Sequence, residues 1–482
     1  MIGLLLVLGG AVLGGAQAEP LSYEAALEDA LSHNATLQIA EAGARAAEGG
    51  LTAAQGTWDP MLGAEGWYAP MVSEGRSQSA QYRLDMSTFG IGTDLSQQLP
   101  SGTGVSLNWQ ATRIPSSTYD FSLVGQEFSE EVPNTYTTEL TASLSQQLLE
   151  GHKMAYNLQH VRRADHAWVR AQAELVSARQ QVIAQVAVGY WDLVAARSAL
   201  ESARRSIAVA EEEQRVVKAL VEAGTLARVD LTRVAAALAQ ARLEGIQAEH
   251  TAVASSDALS LLLGRDPGQD IVPSSPPGEV PLGLDLDVER AVSAALSGNP
   301  DLALARMDLE AAEAEVDWAR HALLPELTAT GSFGVSGYEE GEFSAAMQEL
   351  FSRALPSHYV GLRMSAPVGN RAARGALQAQ MAQLEIARRG VEQQERSVAS
   401  DAAAQARIVG SARRQVELAE LNLNLAEETL AAEKARQAVG RAIQKDVLEV
   451  QRQRSRAEVS LVEARTGYRK ALVSLEALQG SL

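Results

Sequence analysis

The chain contains itself twice. Leu31-Ser32-His33-Asn34 returns as Leu296-Ser297-Gly298-Asn299. The match runs on at the same offset, without a gap, through Leu37/Leu302, Ala40/Ala305, Ala54/Ala319, Pro60/Pro325, Leu62/Leu327 and Tyr68/Phe333. Further along, Gly224, Asp230 and Gly264 return as Gly440, Asp446 and Gly480, all at a second, shorter offset. Two ungapped blocks with different offsets imply one ancestral unit duplicated, the first copy being the longer between the blocks. Solenoid units repeat every 20–50 residues or so, so this is instead a tandem pair of large halves. Residues 19–263 form the first repeat and 284–482 the second. Between them, 264–283 is a Pro/Gly/Ser linker that excludes helix.

Two textures alternate along each half. Residues 22–58, 155–263, 286–323 and 371–479 are rich in Ala, Glu, Gln, Arg and Leu. Within them Trp168, Ala171, Leu175, Ala178, Val182, Val186, Gly189, Leu193, Ala196, Leu200, Ala203, Ile207 and Ala210 recur at alternating spacings of mostly four and three. That period of about 3.5 belongs to coiled-coil packing. It predicts a helix over about 161–221, some 90 Å long at 1.5 Å per residue. A counterpart is predicted at about 374–438, and return helices at 228–263 and 442–478. Together they form long hairpins at 155–263 and 371–479. The seam is mostly Ala, so neighbouring helices can approach closely.

The other texture, at 61–148 and 326–367, alternates with period two. Leu140, Ala142 and Leu144 interleave with Thr141, Ser143 and Ser145; Leu327, Ala329, Phe333 and Val335 with Thr328, Thr330, Gly334 and Ser336. Two readings fit: membrane-barrel strands with lipid on one side and water on the other, or a half-buried sheet of a soluble sandwich.

Residues 1–18, "MIGLLLVLGGAVLGGAQA", read as an export signal ending in an A-x-A cleavage site. Beyond Ala18 no apolar run reaches the roughly 20 residues of a spanning helix. The absence of cysteine excludes disulfides and thiolate metal sites. A net charge of −19 argues against a nucleic-acid partner. Among the seven histidines no pair has metal-ligand spacing, and nucleophile-elbow, Walker A and dinucleotide motifs are absent. No catalytic, cofactor or metal site is expected. Glu211-Glu212-Glu213 reads as a solvated charge run, and Tyr190-Trp191 as packing residues. Asp285 and Asp287 read as first-turn carboxylates of a helix.

These features together resemble the TolC-type outer-membrane efflux family. The residues that carry the likeness are the tandem halves with their "ALSHNATL" and "ALSGNPDL" openings, Pro60 and Pro325, "SLSQQLLEG" at 143–151, and the turns "EAGTLARVDL" and "QAVGRAIQKDVL". The resemblance implies a mixed α and β fold: a trimeric outer-membrane β-barrel shared between protomers above a long periplasmic α-helical barrel. It implies a passive exit duct, not an enzyme, for efflux or type I secretion. Its partners are two further copies, a periplasmic adaptor protein, an inner-membrane transporter and outer-membrane lipid. The rival reading is a soluble periplasmic coiled-coil adaptor or scaffold, which would carry a lipoyl-like domain between its helices.

One departure stands out. The family has two strands per half, whereas the first half adds alternating runs near 82–99 and 105–112 and a polar loop from Pro115 to Pro133. The extra pair either lengthens the barrel wall or folds as an extracellular or rim hairpin, of which the hairpin is the expectation taken.

Asp446 and Glu449 lie three apart, on one face of the helix after the Gly440 turn. Carboxylates there stabilise the helix dipole by roughly 0.3–1 kcal/mol, which is one reading. The resemblance implies another, a periplasmic aperture where an acidic ring draws cations. Gly224, Asp230, Gly440 and Arg441 mark the tip turns, where the adaptor would dock. The family sets an arginine opposite the position of Asp230; here Ala442 stands in that place, with Arg441 adjacent.

Overall fold

The computed structural model describes residues 20–76, 80–123, 126–278, 287–352, 355–439 and 441–482. The export signal, Asp285 and Gly440 lie outside them. In chain order come β1 (Pro20–Leu21), α1 (Tyr23–His33), α2 (Ala35–Gln55), β2 (Met61–Arg76), β3 (Ala80–Leu99) and β4 (Thr103–Ile114). Then follow β5 (Ser117–Leu123), β6 (Gln126–Val132), β7 (Thr135–Gln147), α3 (Met154–Asn157), α4 (Gln159–Glu222) and α5 (Arg228–Leu262). The second half adds β8 (Val272–Pro273), α6 (Val288–Gly298), α7 (Pro300–His321), β9 (Glu326–Glu340), α8 (Phe343–Ser352), β10 (Leu355–Ser365), α9 (Arg371–Ala438) and α10 (Gln444–Gln479). The chain forms two compact units, each drawn from both halves: Met1–Arg45, Arg170–Arg306 and Arg389–Leu482, and Ala46–Val169 with Met307–Arg388.

The first unit is helical. Every seam position of α4 from Ala171 to Ala210 is buried or half-buried, as the 3.5-residue period requires. Where α4 meets α5, a Cβ on Gly245 would lie 2.6 Å from the Ile207 side chain, and one on Gly189 would lie 3.3 Å from Leu262. Tyr190 and Trp191 are core residues: Tyr23 stacks on Trp191 at 5.4 Å, and the Tyr190 hydroxyl donates to the Leu21 carbonyl at 3.0 Å. A second core joins Ala291 of α6, Val409 and Val416 of α9, and Tyr468 and Leu475 of α10. The parallel bridge of β1 to β8 brings the first described residues beside the linker.

The Leu-Ser-x-Asn openings end helices. Asn34 sits between α1 and α2; its amide donates to the Leu262 carbonyl at 2.7 Å, and its oxygen accepts from Thr36 N–H at 2.9 Å. Asn299 does the same between α6 and α7, donating to Leu478 at 3.1 Å and accepting from Leu302 at 2.9 Å. The partners Leu262 and Leu478 are themselves related by the shorter offset of the repeat.

The second unit holds an antiparallel sheet in the order β10-β9-β7-β4-β3-β2, with β5 and β6 continuing from the start of β3. Its registers align one face throughout. Leu95, Leu107, Ala142 and Phe333 lie in one row; Thr93, Trp109, Leu140 and Val335 lie in the next. The opposite face carries Asp94, Asn108, Thr141 and Gly334 in register. The apolar face is uncovered over much of its area: Leu62 is 79% exposed, Val360 86% and Leu362 73%.

Three expectations are corrected. The extra pair of the first half is not a rim hairpin: β3 and β4 stand inside the sheet between β2 and β7. The alternation of Val105, Leu107 and Trp109 matches that of Leu144, Ala142 and Leu140, and a one-residue slip would turn the whole apolar set over. The stretch read as a polar loop pairs as β5 and β6, Ser117–Val132 through Leu123–Gln126. Within the strand texture of 326–367 lies a helix, α8. Phe343, Ala346, Met347, Leu350 and Phe351 repeat at helical spacing, and Ala346 and Leu350 bury themselves over the Thr138–Gly337 pair. The Thr138 hydroxyl donates to the Ala346 carbonyl at 3.3 Å.

Candidate functional site at the helix tips

The hairpin of α4 and α5 turns at Gly224, which has φ +75 and open space where a Cβ would be. Gly224 N–H bonds to Val221 at 3.0 Å and Thr225 N–H to Leu220 at 2.9 Å, closing the last turn of α4. The turn between α9 and α10 repeats the second bond at the equivalent positions, Arg441 N–H to the Arg436 carbonyl at 2.8 Å. The Gln437 amide also reaches across this turn to Gln444.

Asp230 and Asp446 occupy equivalent first-turn positions. Their N–H groups bond to Ala227 and Ile443 at 3.0 and 3.1 Å. The Asp446 carboxylate accepts from Ile443 N–H at 3.3 Å, so it caps α10. Asp230 pairs with Arg233 of its own helix at 3.3 Å rather than with Arg441. Among the described residues the tip turns are thus each closed on themselves.

Glu449 connects further. Arg452, one turn on, binds Glu449 at 2.7 Å and Glu213 of α4 at 3.3 Å. Glu213 is only 7% exposed, which corrects its reading as part of a solvated run. Its neighbours behave differently: Glu211 reaches Arg242 of α5 at 2.9 Å, and Glu212 pairs with Arg215. The seam itself carried the signal, because Ala210, Glu213 and Val217 continue its three-then-four spacing and all three are buried. A carboxylate in that position needs a cation, and Arg452 supplies it from the facing helix. Val447 and Leu448 pack inward on the same turn of α10.

Chemically this is a charged latch between α4 and α10, with carboxylates near the tip. Among the described residues no three His, Cys, Asp or Glu side chains converge as a metal site. No described helix is long and apolar enough to cross a membrane.

Comparison with known proteins agrees with this architecture. The sequence profile of the outer membrane efflux proteins matches residues 102–265 and 291–481. The chain is 29% identical over 163 residues to outer membrane protein OprJ of Pseudomonas aeruginosa, covering 34% of each chain. It is 28% identical over 244 residues to the toluene efflux pump outer membrane protein TtgF of Pseudomonas putida, covering 50% of this chain and 46% of TtgF. The matches span half or less of these relatives' lengths. The crystal structure of the outer membrane protein VceC from Vibrio cholerae superposes with a TM-score of 0.66 at 17% identity, over 95% of this chain and 96% of VceC. At that identity the likeness is one of fold. With the profile matched across most of both halves, the chain belongs to the outer membrane efflux protein family.

Proposed function

We propose that the chain is the passive exit duct of a tripartite efflux or type I secretion system, spanning the outer membrane and extending into the periplasm. Three copies share one β-barrel. Their paired helices form the periplasmic tunnel, and a periplasmic adaptor protein joins the helix tips to an inner-membrane transporter. That transporter supplies the energy; this chain supplies a path. The observation that carries the proposal is the two-faced antiparallel sheet, apolar and uncovered on one side and largely polar on the other. An exposed apolar face of that extent calls for lipid or a partner. The reading as a soluble adaptor or scaffold leaves it uncovered.

At the tips, Asp446 and Glu449 form the acidic aperture, and the turns around Gly224, Asp230, Gly440 and Arg441 meet the adaptor. The test is fractionation with membrane extraction. The protein is expected with the outer membrane, as a trimer that survives mild detergent, and an adaptor encoded alongside it is expected to be retained by the assembly. Recovery as a soluble periplasmic monomer would overturn the proposal.

A further inference from the structure

Three described strands of the sheet of the second unit have one unpaired side each: β6, at the end of the β5–β6 extension, and β2 and β10, which bound the six-stranded run β10-β9-β7-β4-β3-β2. Every pairing within it is antiparallel, and an even number of strands lies from β10 to β2. The edges therefore run in opposite directions. If β10 of one copy meets β2 of the next by rotation about an axis, the new pair is antiparallel as well. Such head-to-tail contacts close into a ring.

Both edges are competent to pair over the same length. Pro70 in β2 and Pro356 in β10 lack N–H groups, and each lies toward the same end of the sheet. Below them residues 61–69 and 357–365 contain no proline, which is about the 9–11 residues of a membrane-crossing strand. Within hydrocarbon each unpaired backbone group costs several kcal/mol, so open edges do not persist there. β10 is exposed at every position except Gly361.

We infer that the partner of these edges is a second copy of this chain, and that three copies close an 18-stranded barrel, with β3 and β4 as wall strands. This rests on the trimer proposed above and goes beyond it in the strand count. Two strands from each half would give twelve. With strands 4.8 Å apart and tilted about 40°, eighteen strands give a backbone diameter of roughly 36 Å, against roughly 24 Å for twelve. The inward face carries Gly92, Asn108, Thr141, Ser143, Ser332 and Gly334, together with the longer Glu65, Trp67, Asp94, Glu139, Tyr359 and Arg363 in the same registers. The barrel is then a wide aqueous passage, as in large porins, open to hydrated solutes or an extended polypeptide.

Native mass spectrometry of the detergent-extracted protein counts the copies, and cryo-electron microscopy in lipid nanodiscs counts the strands. Three copies and eighteen strands are expected. Three copies closing over twelve strands, with β3 and β4 outside the wall, would overturn the strand count and leave the trimer standing; any other copy number would overturn the trimer itself. The chain has no cysteine, so Leu107→Cys and Asn108→Cys on β4 provide a second measurement. In nanodiscs a water-soluble maleimide is expected to label position 108 and spare position 107. Equal labelling of both would place β4 in water and overturn the inference.

Discussion

Asn34 and Asn299 each end one helix and hold the last turn of another. Their side chains are buried, so the amide that reaches Leu262 or Leu478 satisfies a carbonyl that water would otherwise have to reach. Beside them Gly264 and Gly480 adopt φ +69 and +66, and a Cβ at either would collide with the carbonyl oxygen of His33 or Gly298. Alanine at Asn34 or Asn299 is therefore expected to cost about 1–2 kcal/mol each in thermal unfolding. The two should add, because they sit in different helix junctions; an effect below a few tenths would deny them the capping role. A different residue sets acid sensitivity. His321, at the end of α7, lies against Tyr156 and His152, and its buried Nε2 has no hydrogen-bond partner. Burial, then the neighbouring His152 and Lys153, hold its pKa below the ordinary 6.5, while burial and a 2.8 Å hydrogen bond to Glu150 push the Tyr156 hydroxyl up to about 12. A histidine with a depressed folded pKa is neutral in both states above 6.5. As pH falls below that value the unfolded chain takes up the proton first, and stability is lost down through the folded pKa. Melting temperature is expected to fall between pH 7.5 and 5, and His321→Gln to fall less. If the variant loses as much, the acid sensitivity comes from elsewhere.

At the scale of elements, the small seam makes the helix contacts intolerant of bulk. Ala402 of α9 is fully buried with Ala295 and Val398. Ala402→Leu is expected to overpack this contact and cost about 1–3 kcal/mol, read as a lower melting temperature with helix content retained by circular dichroism. Normal melting would mean that this contact has room the structure does not show. The long helices are also where the sequence was easiest to read. A period held along the whole helix places α4 at 159–222 against an expected 161–221, and α9 at 371–438 against 374–438. Short or mixed signals fared worse. The short α8 sits inside alternating sequence, and Met, Gln, Glu and Leu favour a helix there only in a window too brief for periodicity to decide. The place of β4 in the sheet depends on its partner's register, which no single strand reveals. Glu213 was hidden by its two more exposed neighbours, although its seam position was visible.

For the whole molecule, the two halves that resemble each other in sequence are not independent. β7 pairs with β9 along its full length, and α4 of the first half binds α10 of the second through Glu213–Arg452, Ser202–Ser455 at 3.0 Å and Asp192–Lys470 at 2.5 Å. Each compact unit is built from both halves, so residues 20–263 expressed alone are not expected to unfold cooperatively; a sharp melting transition from that fragment would contradict this. The same interlocking frames the test of the proposed aperture. Asp446 caps α10 and Glu449 shares Arg452 with Glu213, so a purely structural role for both carboxylates is a complete alternative to an acidic ring. Asp446→Asn keeps an acceptor oxygen for the Ile443 N–H, and Glu449→Gln leaves Arg452 its bond to Glu213, so the double variant removes charge at small cost to the fold. Asp287 serves as the control: it caps α6, accepting from Glu289 N–H at 3.0 Å, away from the tip turns in sequence. In planar bilayers the double variant is expected to lose cation preference and block by divalent ions, with conductance changing less. Asp287→Asn is expected to change neither. Selectivity unchanged in the tip variant, with only a lower melting temperature, would assign both residues to helix capping and leave the duct without an acidic ring.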